Sequence, residues 1–278
     1  MNQTIQQWLK QAQAQLSAIT DASTEESHLI LCEALQKNSA YLIAHSQDPL
    51  EQDIKEKADN DLAERLTGKP LAYVLGHTTF YGLPIHVNPN VLIPRNATES
   101  LVEYILNKYP NTSLNIADLG TGSGAIACTL AHHRPNWSIT ATDISTEALD
   151  IAKKNSKHLT LKNIIFLQSN WFENLKDQKF DIIISNPPYI DFKDPATDNS
   201  VKNYEPHQAL FSENNGLADI KILLKEAKNH LKTNGFLIIE HGHLQQKAIA
   251  DIAKDYQHTY ITGYKDLSEL DRFIITKP

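Results

Sequence analysis

The chain has 278 residues, with 26 Lys and Arg against 33 Asp and Glu for a net charge of −7. It is long enough to bury a core without staples, its 41% hydrophobic and 21% charged residues are globular proportions, and the acidic balance argues against a duplex-coating protein, which carries a basic stripe. Two distant cysteines, Cys32 and Cys128, exclude a disulfide framework, a zinc ribbon and an iron–sulfur site, and neither a membrane-length apolar run nor a signal-peptide core is present, so a soluble cytoplasmic protein is expected.

The first third has helical spacing. Ile5, Trp8, Leu9, Ala12 and Leu16 form one stripe. Ser23 and Glu26 fit a capping box ahead of a helix carrying Leu29, Leu31 and Leu35. Leu50, Ile54, Ala58, Leu62 and Leu66 form another stripe, which stops at Gly68 and Pro70. These helices predict a small bundle, a domain over residues 1–72. Residues 73–93 mix β-branched and aromatic residues with Gly and Pro, which predicts a β-hairpin linker.

From residue 94 onward a second domain runs to residue 278. A helix near 98–108 precedes strands at 113–118, 138–143, 164–167, 180–185 and 236–239, with helices from 124, at 146–156 and at 217–231 between them. Strand-like stretches at 260–264 and 273–276 close the chain and lack a long crossover. The alternation predicts a mostly parallel sheet with helices on both faces and an antiparallel hairpin at its edge.

Asp118-Leu119-Gly120-Thr121-Gly122-Ser123-Gly124 falls where the first of these strands hands over to a helix. Glycines there let the backbone turn sharply and approach a ligand. Asp143 ends the next strand about 20 residues on, the spacing at which an acid reaches a ribose diol. Asp118 beside the turn would repel a pyrophosphate and attract a sulfonium or an amino group. The pattern therefore favours S-adenosylmethionine over NAD.

Asn186-Pro187-Pro188-Tyr189-Ile190 follows the apolar run at 180–184, at the carboxyl end of a strand, where open α/β sheets bind ligands. The prolines fix φ and remove donors, leaving the Asn186 side-chain oxygen and nearby carbonyls as acceptors beside the flat Tyr189 ring. Two acceptors on a planar NH₂ would orient its nitrogen and stabilise the positive charge that grows there. That suits methyl transfer to a planar –NH₂ group. His132-His133 and His241-Gly242-His243 lack a spaced third ligand, so no metal is expected. Glu240 ends a strand, and an active-site-facing role and a helix-cap or hydrogen-bonding role both stay open.

These two loops carry a resemblance to the bacterial release-factor glutamine methyltransferases (the PrmC/HemK family). It extends through Gly68–Gly76, Phe80-Tyr81-Gly82-Leu83, Val91–Arg95 with Thr98 and Glu99, Glu205-Pro206, Ala209–Phe211, Gly216-Leu217, Glu240–Gly242 and Asp271-Arg272. The resemblance implies a seven-stranded class I S-adenosylmethionine-dependent methyltransferase sheet, Rossmann-like, behind a small N-terminal helical substrate-binding domain. It implies methylation of the side-chain amide of the glutamine in the Gly-Gly-Gln motif of class-one release factors, with S-adenosylhomocysteine as product. Asn186, Pro187 and Tyr189 are then the catalytic residues, which with Pro188 bind the substrate amide. Asp118, Gly120, Thr121, Gly122, Gly124, Asp143, Asn170, Trp171 and Asn186 are then the cofactor set, with Asn170 and Trp171 bounding the adenine. No nucleic acid, no membrane and a monomer are expected. Three positions depart from the family pattern: Ala97 where a carboxylate is common, Asn170 where an acid often precedes Trp-Phe, and His207 where Arg often follows Glu-Pro. The same chemistry on a ribosomal-protein glutamine or on the exocyclic amine of adenine is the nearest alternative. An NAD-dependent oxidoreductase would share the glycine turn but leave Asn186–Tyr189 unexplained, and a non-catalytic scaffold would need neither loop.

Overall fold

The computed structural model describes residues 3–109, 113–193 and 199–278. The chain divides into two compact units, Met1–His77 and Thr78–Pro278.

The first unit is helical: α1 (Ile5–Leu16), α2 (Ser23–Leu35), α3 (Ser39–Ala44), α4 (Gln52–Leu66) and α5 (Leu71–Leu75). Its core gathers Ile5, Trp8, Ala12, Leu16, Ile30, Leu31, Leu42 and Leu62. Trp8 is buried, and its indole N–H donates to Asp59 Oδ1 at 2.8 Å, so burial leaves no orphaned donor. The capping box sits on α1, between Thr4 and Gln7. At α2 Ala22 is the N-cap and no side chain caps it, so Ser23 already lies inside the helix. Leu29, expected on the inner face, is 43% exposed. The buried face of α2 is Ser27, Ile30, Leu31 and Ala34, an i, i+3, i+4, i+7 set that leaves position 29 outside.

Of the stretch at 73–93, the first residues complete α5 and the hairpin itself is β1 (His77–Phe80) with β2 (Leu83–His86). The second unit continues through α6 (Asn96–Lys108), β3 (Asn115–Leu119), α7 (Ala125–His133), β4 (Ser138–Asp143), α8 (Thr146–His158), β5 (Ile164–Gln168) and β6 (Phe180–Ser185). Three short helices, α9 (Asn199–Tyr204), α10 (His207–Leu210) and α11 (Glu213–Gly216), lead into α12 (Ala218–Glu226). The chain ends with β7 (Leu231–Glu240), α13 (Gln246–Asp255), β8 (Tyr260–Lys265) and β9 (Asp271–Lys277).

These strands form a seven-stranded sheet in the order β5-β4-β3-β6-β7-β9-β8. All neighbours are parallel except at β9, which runs antiparallel to both β7 and β8. The central strands are buried on both faces, as continuous apolar runs such as Phe180–Ser185 require. Their side chains pack on α12 and α13 through Ile220, Leu223, Leu224, Ile249 and Ala253. β7 begins five residues before its apolar run and takes in Gly235, where a Cβ would lie 2.9 Å from the Phe180 carbonyl oxygen, so only glycine allows the strand to approach β6 there. Among the described residues no helix is long and apolar enough to cross a membrane.

Candidate active site

The strand order reverses between β3 and β6, since β3 leads outward to β4 and β5 while β6 leads the other way to β7. Ligands of open α/β sheets sit beyond the carboxyl ends at such a reversal. Leu119 and Ser185 are paired in register there, and Ser185 Oγ donates to the Leu119 carbonyl at 2.7 Å. The glycine turn and the Asn-Pro-Pro-Tyr loop therefore start from adjacent points.

On the β3 side Gly120, Gly122 and Gly124 have φ of +70°, +56° and +78°, a region side chains rarely enter. A Cβ at Gly122 would meet nothing within 4 Å, whereas one at Gly124 would lie 2.9 Å from Ala152 Cβ. Gly122 thus keeps the floor of a cleft open, and Gly124 lets α7 approach α8. Thr121 N donates to the Thr142 carbonyl at 2.8 Å. Asp143 accepts from Gly122 N at 2.8 Å and Ser145 N at 2.9 Å. Burial raises the Asp143 carboxyl above its usual range, against these backbone bonds, which favour its charge. Asn155, fully buried, donates to the Ser123 and His86 carbonyls and accepts from His86 N, tying the turn to the hairpin.

Asp118 lies beneath the turn, 1% exposed, and outside the cleft wall. One of its oxygens accepts from Thr121 Oγ1 at 2.6 Å and Ala127 N at 3.2 Å, and the other is buried without a partner among the described residues. Burial raises its pKa to about 6, against the bonds from Thr121 and Ala127.

A cleft of about 460 Å³ opens above, lined by Gly120, Thr121, Gly122, Asp143, Asn170 and Trp171 among others, and it is in the range of small-molecule sites. Trp171 has φ +46°, an unusual conformation for so large a residue. Its ring would lie 3.4 Å from a Cβ at Gly120, and its indole N–H donates to Asp219 Oδ1 at 3.2 Å. Asn170 is exposed at the rim, and its Nδ2 donates to Glu173. An open glycine floor, a carboxylate at the strand end and a flat indole wall fit an adenosyl sulfonium group, whereas Asp118, expected in the cofactor set, lies beneath the turn and is not part of the lining.

On the β6 side Asn186 and Pro188 line this cleft, while Asn186, Pro187 and Tyr189 line a second, of about 690 Å³. Asn186 is thus the member of the loop that faces both. Ile190 bridges to Phe211, with Ile190 N donating to Leu210 O at 3.0 Å and Ser212 N to Ile190 O at 2.9 Å. Gln245 Nε2 donates to the Tyr189 carbonyl at 2.9 Å, and a Cβ at Gly216 would lie 2.0 Å from that same oxygen. The loop is therefore held from α11 and from the start of α13.

Two residues that shape the site, Arg95 and Thr98, were given no role from the sequence, and a third, Glu240, was left between two. Arg95 lines both clefts and pairs with the buried Glu205 carboxylate at 2.5 Å, which also accepts from Ile93 N. Thr98, buried on α6, accepts from Asn186 Nδ2 at 3.4 Å. Glu240 is 0% exposed, and both its oxygens are without a hydrogen bond of normal geometry among the described residues. Burial raises it to about 7, although the nearby Thr98 and Tyr189 hydroxyls and the Arg272 charge favour its ionised form. Burial likewise pushes the Tyr189 hydroxyl up to about 12, with the Glu240 charge adding to the effect. Their shared family stretches were the only signal for these residues, because each contact spans dozens of positions. Among the described residues no three His, Cys, Asp or Glu side chains converge on a metal-sized space.

Residues 95–203 match the family described as the methyltransferase small domain, and residues 7–76 match the PrmC N-terminal domain. The release factor glutamine methyltransferase of Francisella tularensis is 41% identical over 273 residues, 98% of this chain and 96% of that protein. That of Coxiella burnetii is 38% identical over 275 residues, 99% of each. A methyltransferase structure from Pyrococcus furiosus superposes with a TM-score of 0.52 at 20% identity, covering 78% of this chain and 98% of that one. The catalytic domain of hMettl16 reaches 0.58 at 15% identity, covering 78% and 80%. Those structures speak for the fold, a class I methyltransferase sheet. The near full-length relatives speak for more: this chain belongs to the release factor glutamine methyltransferase family.

Proposed function

We propose that the protein transfers a methyl group from S-adenosylmethionine to the side-chain amide nitrogen of the glutamine in the Gly-Gly-Gln motif of class-one release factors, in the cytoplasm. The observation that carries this reading is the pairing of Leu119 with Ser185, which sets a nucleoside-type glycine turn beside a loop of fixed acceptors. When bound, the cofactor supplies an electrophilic methyl group on a sulfonium sulfur. Gly120, Gly122 and Gly124 admit it, Asp143 holds its ribose diol, and Asn170 and Trp171 bound its adenine. Asn186 Oδ1 and the Pro187 carbonyl accept the two hydrogens of the substrate amide, and Tyr189 packs on its plane. An amide nitrogen is a poor nucleophile because its lone pair is delocalised. The two acceptors turn that nitrogen and stabilise the positive charge that develops on it, so its proton can leave after transfer without a strong general base. The helical unit, which carries none of this chemistry, grips the release factor.

The test is to incubate the protein with methyl-labelled S-adenosylmethionine and three acceptors: a class-one release factor, the same factor with the Gly-Gly-Gln glutamine changed to alanine, and an adenine-containing oligonucleotide. Label is expected in the first alone. Label only in the oligonucleotide would overturn the reading, and label in the alanine-substituted factor would move the methylated position elsewhere on that protein.

A further inference from the structure

Behind the acceptor loop lies a carboxylate that methyl transfer as described does not use. Glu240 closes β7 with both oxygens buried and without a hydrogen bond of normal geometry among the described residues, although the Thr98 and Tyr189 hydroxyls act on it, a state that costs stability. Four groups from separate elements favour its charge: the Thr98 hydroxyl from α6 and the Tyr189 hydroxyl from the acceptor loop as donors, and Arg272 from β9 and Arg95 from the segment before α6 as nearby cations. Thr98 in turn takes the hydrogen bond from Asn186 Nδ2.

The reaction proposed above needs Asn186 to face one way. Turning its carboxamide over exchanges an oxygen for an NH₂, and an NH₂ aimed at the substrate's own NH₂ repels it. Thr98 cannot make that choice alone, because a hydroxyl both donates and accepts. It commits to accepting from Asn186 when its own hydrogen is given elsewhere, and an ionised carboxylate only accepts. We infer that Glu240 is a positioning residue which, by taking the Thr98 hydrogen, keeps the Asn186 oxygen turned toward the substrate amide; the inference rests on the glutamine reading above.

The neighbours agree with this role. The Arg95 and Arg272 guanidinium groups both favour the ionised carboxylate. Tyr189, pushed up to about 12, keeps its proton and remains a donor. Glu240 itself changes state near neutrality, at about 7. Once protonated it can donate to Thr98, which frees the Thr98 hydrogen to draw the Asn186 oxygen away from the site.

The experiment measures kcat and KM of the full-length protein on a class-one release factor across pH, with cofactor affinity by calorimetry as the check on folding. Thr98→Val keeps the shape and removes the hydroxyl. It should lower kcat roughly 10- to 100-fold with cofactor affinity within about threefold of wild type, and Thr98→Ser should recover most of that loss. In wild type kcat should fall from about pH 8 to about pH 6 as Glu240 protonates, and in Glu240→Gln that acid limb should be absent. A role in folding alone would lower stability and leave the limb in place. Wild-type kcat in Thr98→Val, or an unchanged acid limb in Glu240→Gln, would overturn the inference while the glutamine reading stands. Wild type without transfer to the factor would overturn both. If Glu240→Gln does not fold, the acid limb is read in Thr98→Val, where it should be absent, and its persistence there would overturn the inference.

Discussion

The two sides of the cleft are built by different means. The cofactor side is local. Its turn is held by backbone groups, by Asp143 and by Asn155, with Gly122 N to Asp143 spanning 21 positions and Asn155 to the Ser123 carbonyl spanning 32. The acceptor side is assembled from a distance. Asn186 meets Thr98 across 88 positions, Ile93 meets Glu205 across 112, and Tyr189 meets Gln245 across 56. A local turn can bind a common cofactor in many folds, whereas the distant contacts fix which group is presented to it. Both sides nonetheless keep a buried carboxylate with unpaired oxygen beneath the functional loop, Asp118 on one and Glu240 on the other.

If the two sides are separable, damage to each should have its own signature. The largest effect is expected at Asn186. Removing its amide in Asn186→Ala takes away an acceptor of developing charge, so kcat should fall about 10²-fold or more while cofactor affinity measured by calorimetry barely moves. Equal loss in both would place Asn186 on the cofactor side instead.

Next comes Asp118→Asn, which probes the cofactor side through pH. Burial raises the carboxyl from 3.8 to about 6. Between those values the folded protein holds a proton that the unfolded chain has released. Stability of the cofactor-free protein therefore falls as pH rises through the window, by a total on the order of 3 kcal/mol. An amide in its place can still accept from Thr121 and Ala127 and does not titrate. The stability advantage of the variant over wild type, read from thermal unfolding, should widen from pH 4 to pH 7, and kcat at saturating cofactor should change little. A gap that stays constant with pH would mean that Asp118 is not a charge held at a cost.

What the sequence disclosed follows the same division. The glycine turn, the Asp143 spacing and all seven strands are local patterns and could be read directly, as could the Asn-Pro-Pro-Tyr loop at a strand end. The partners of that loop could not, because nothing near Asn186 names Thr98 and nothing near Trp171 names Asp219. Local reading also failed where a frame of one residue decides the outcome. Ser23-x-x-Glu26 has the form of a capping box, but the Glu26 N–H already donates to the Ala22 carbonyl, so the helix starts one residue before serine can cap it. The same form at Thr4-x-x-Gln7 is the real one, with the threonine just outside the helix.

Asp143→Ala should have the next effect and the opposite signature to Asn186→Ala. It leaves the ribose hydroxyls without a charged partner and frees Gly122 N, which should weaken cofactor binding by about 1–3 kcal/mol. At saturating cofactor kcat should return close to wild type. Unchanged calorimetric affinity would remove Asp143 from the site.

The smallest effect tests a chain of contacts that joins the two sides. The Trp171 indole donates to Asp219 Oδ1, Asp219 Oδ2 accepts from Ser212 Oγ at 2.6 Å, and Ser212 N donates to the carbonyl of Ile190 in the acceptor loop. Trp171→Phe keeps an aromatic wall and deletes the first link. One neutral-to-charged hydrogen bond of 3.2 Å at a half-buried site is worth roughly 1 kcal/mol, so cofactor affinity should drop about fivefold. Because Asp219 still has Ser212 as a donor, the acceptor loop should hold its place and kcat at saturating cofactor should stay within about twofold. A parallel fall in kcat would show that Asp219 transmits strain from the adenine wall to Ile190, and the two sides would then act as one piece rather than two.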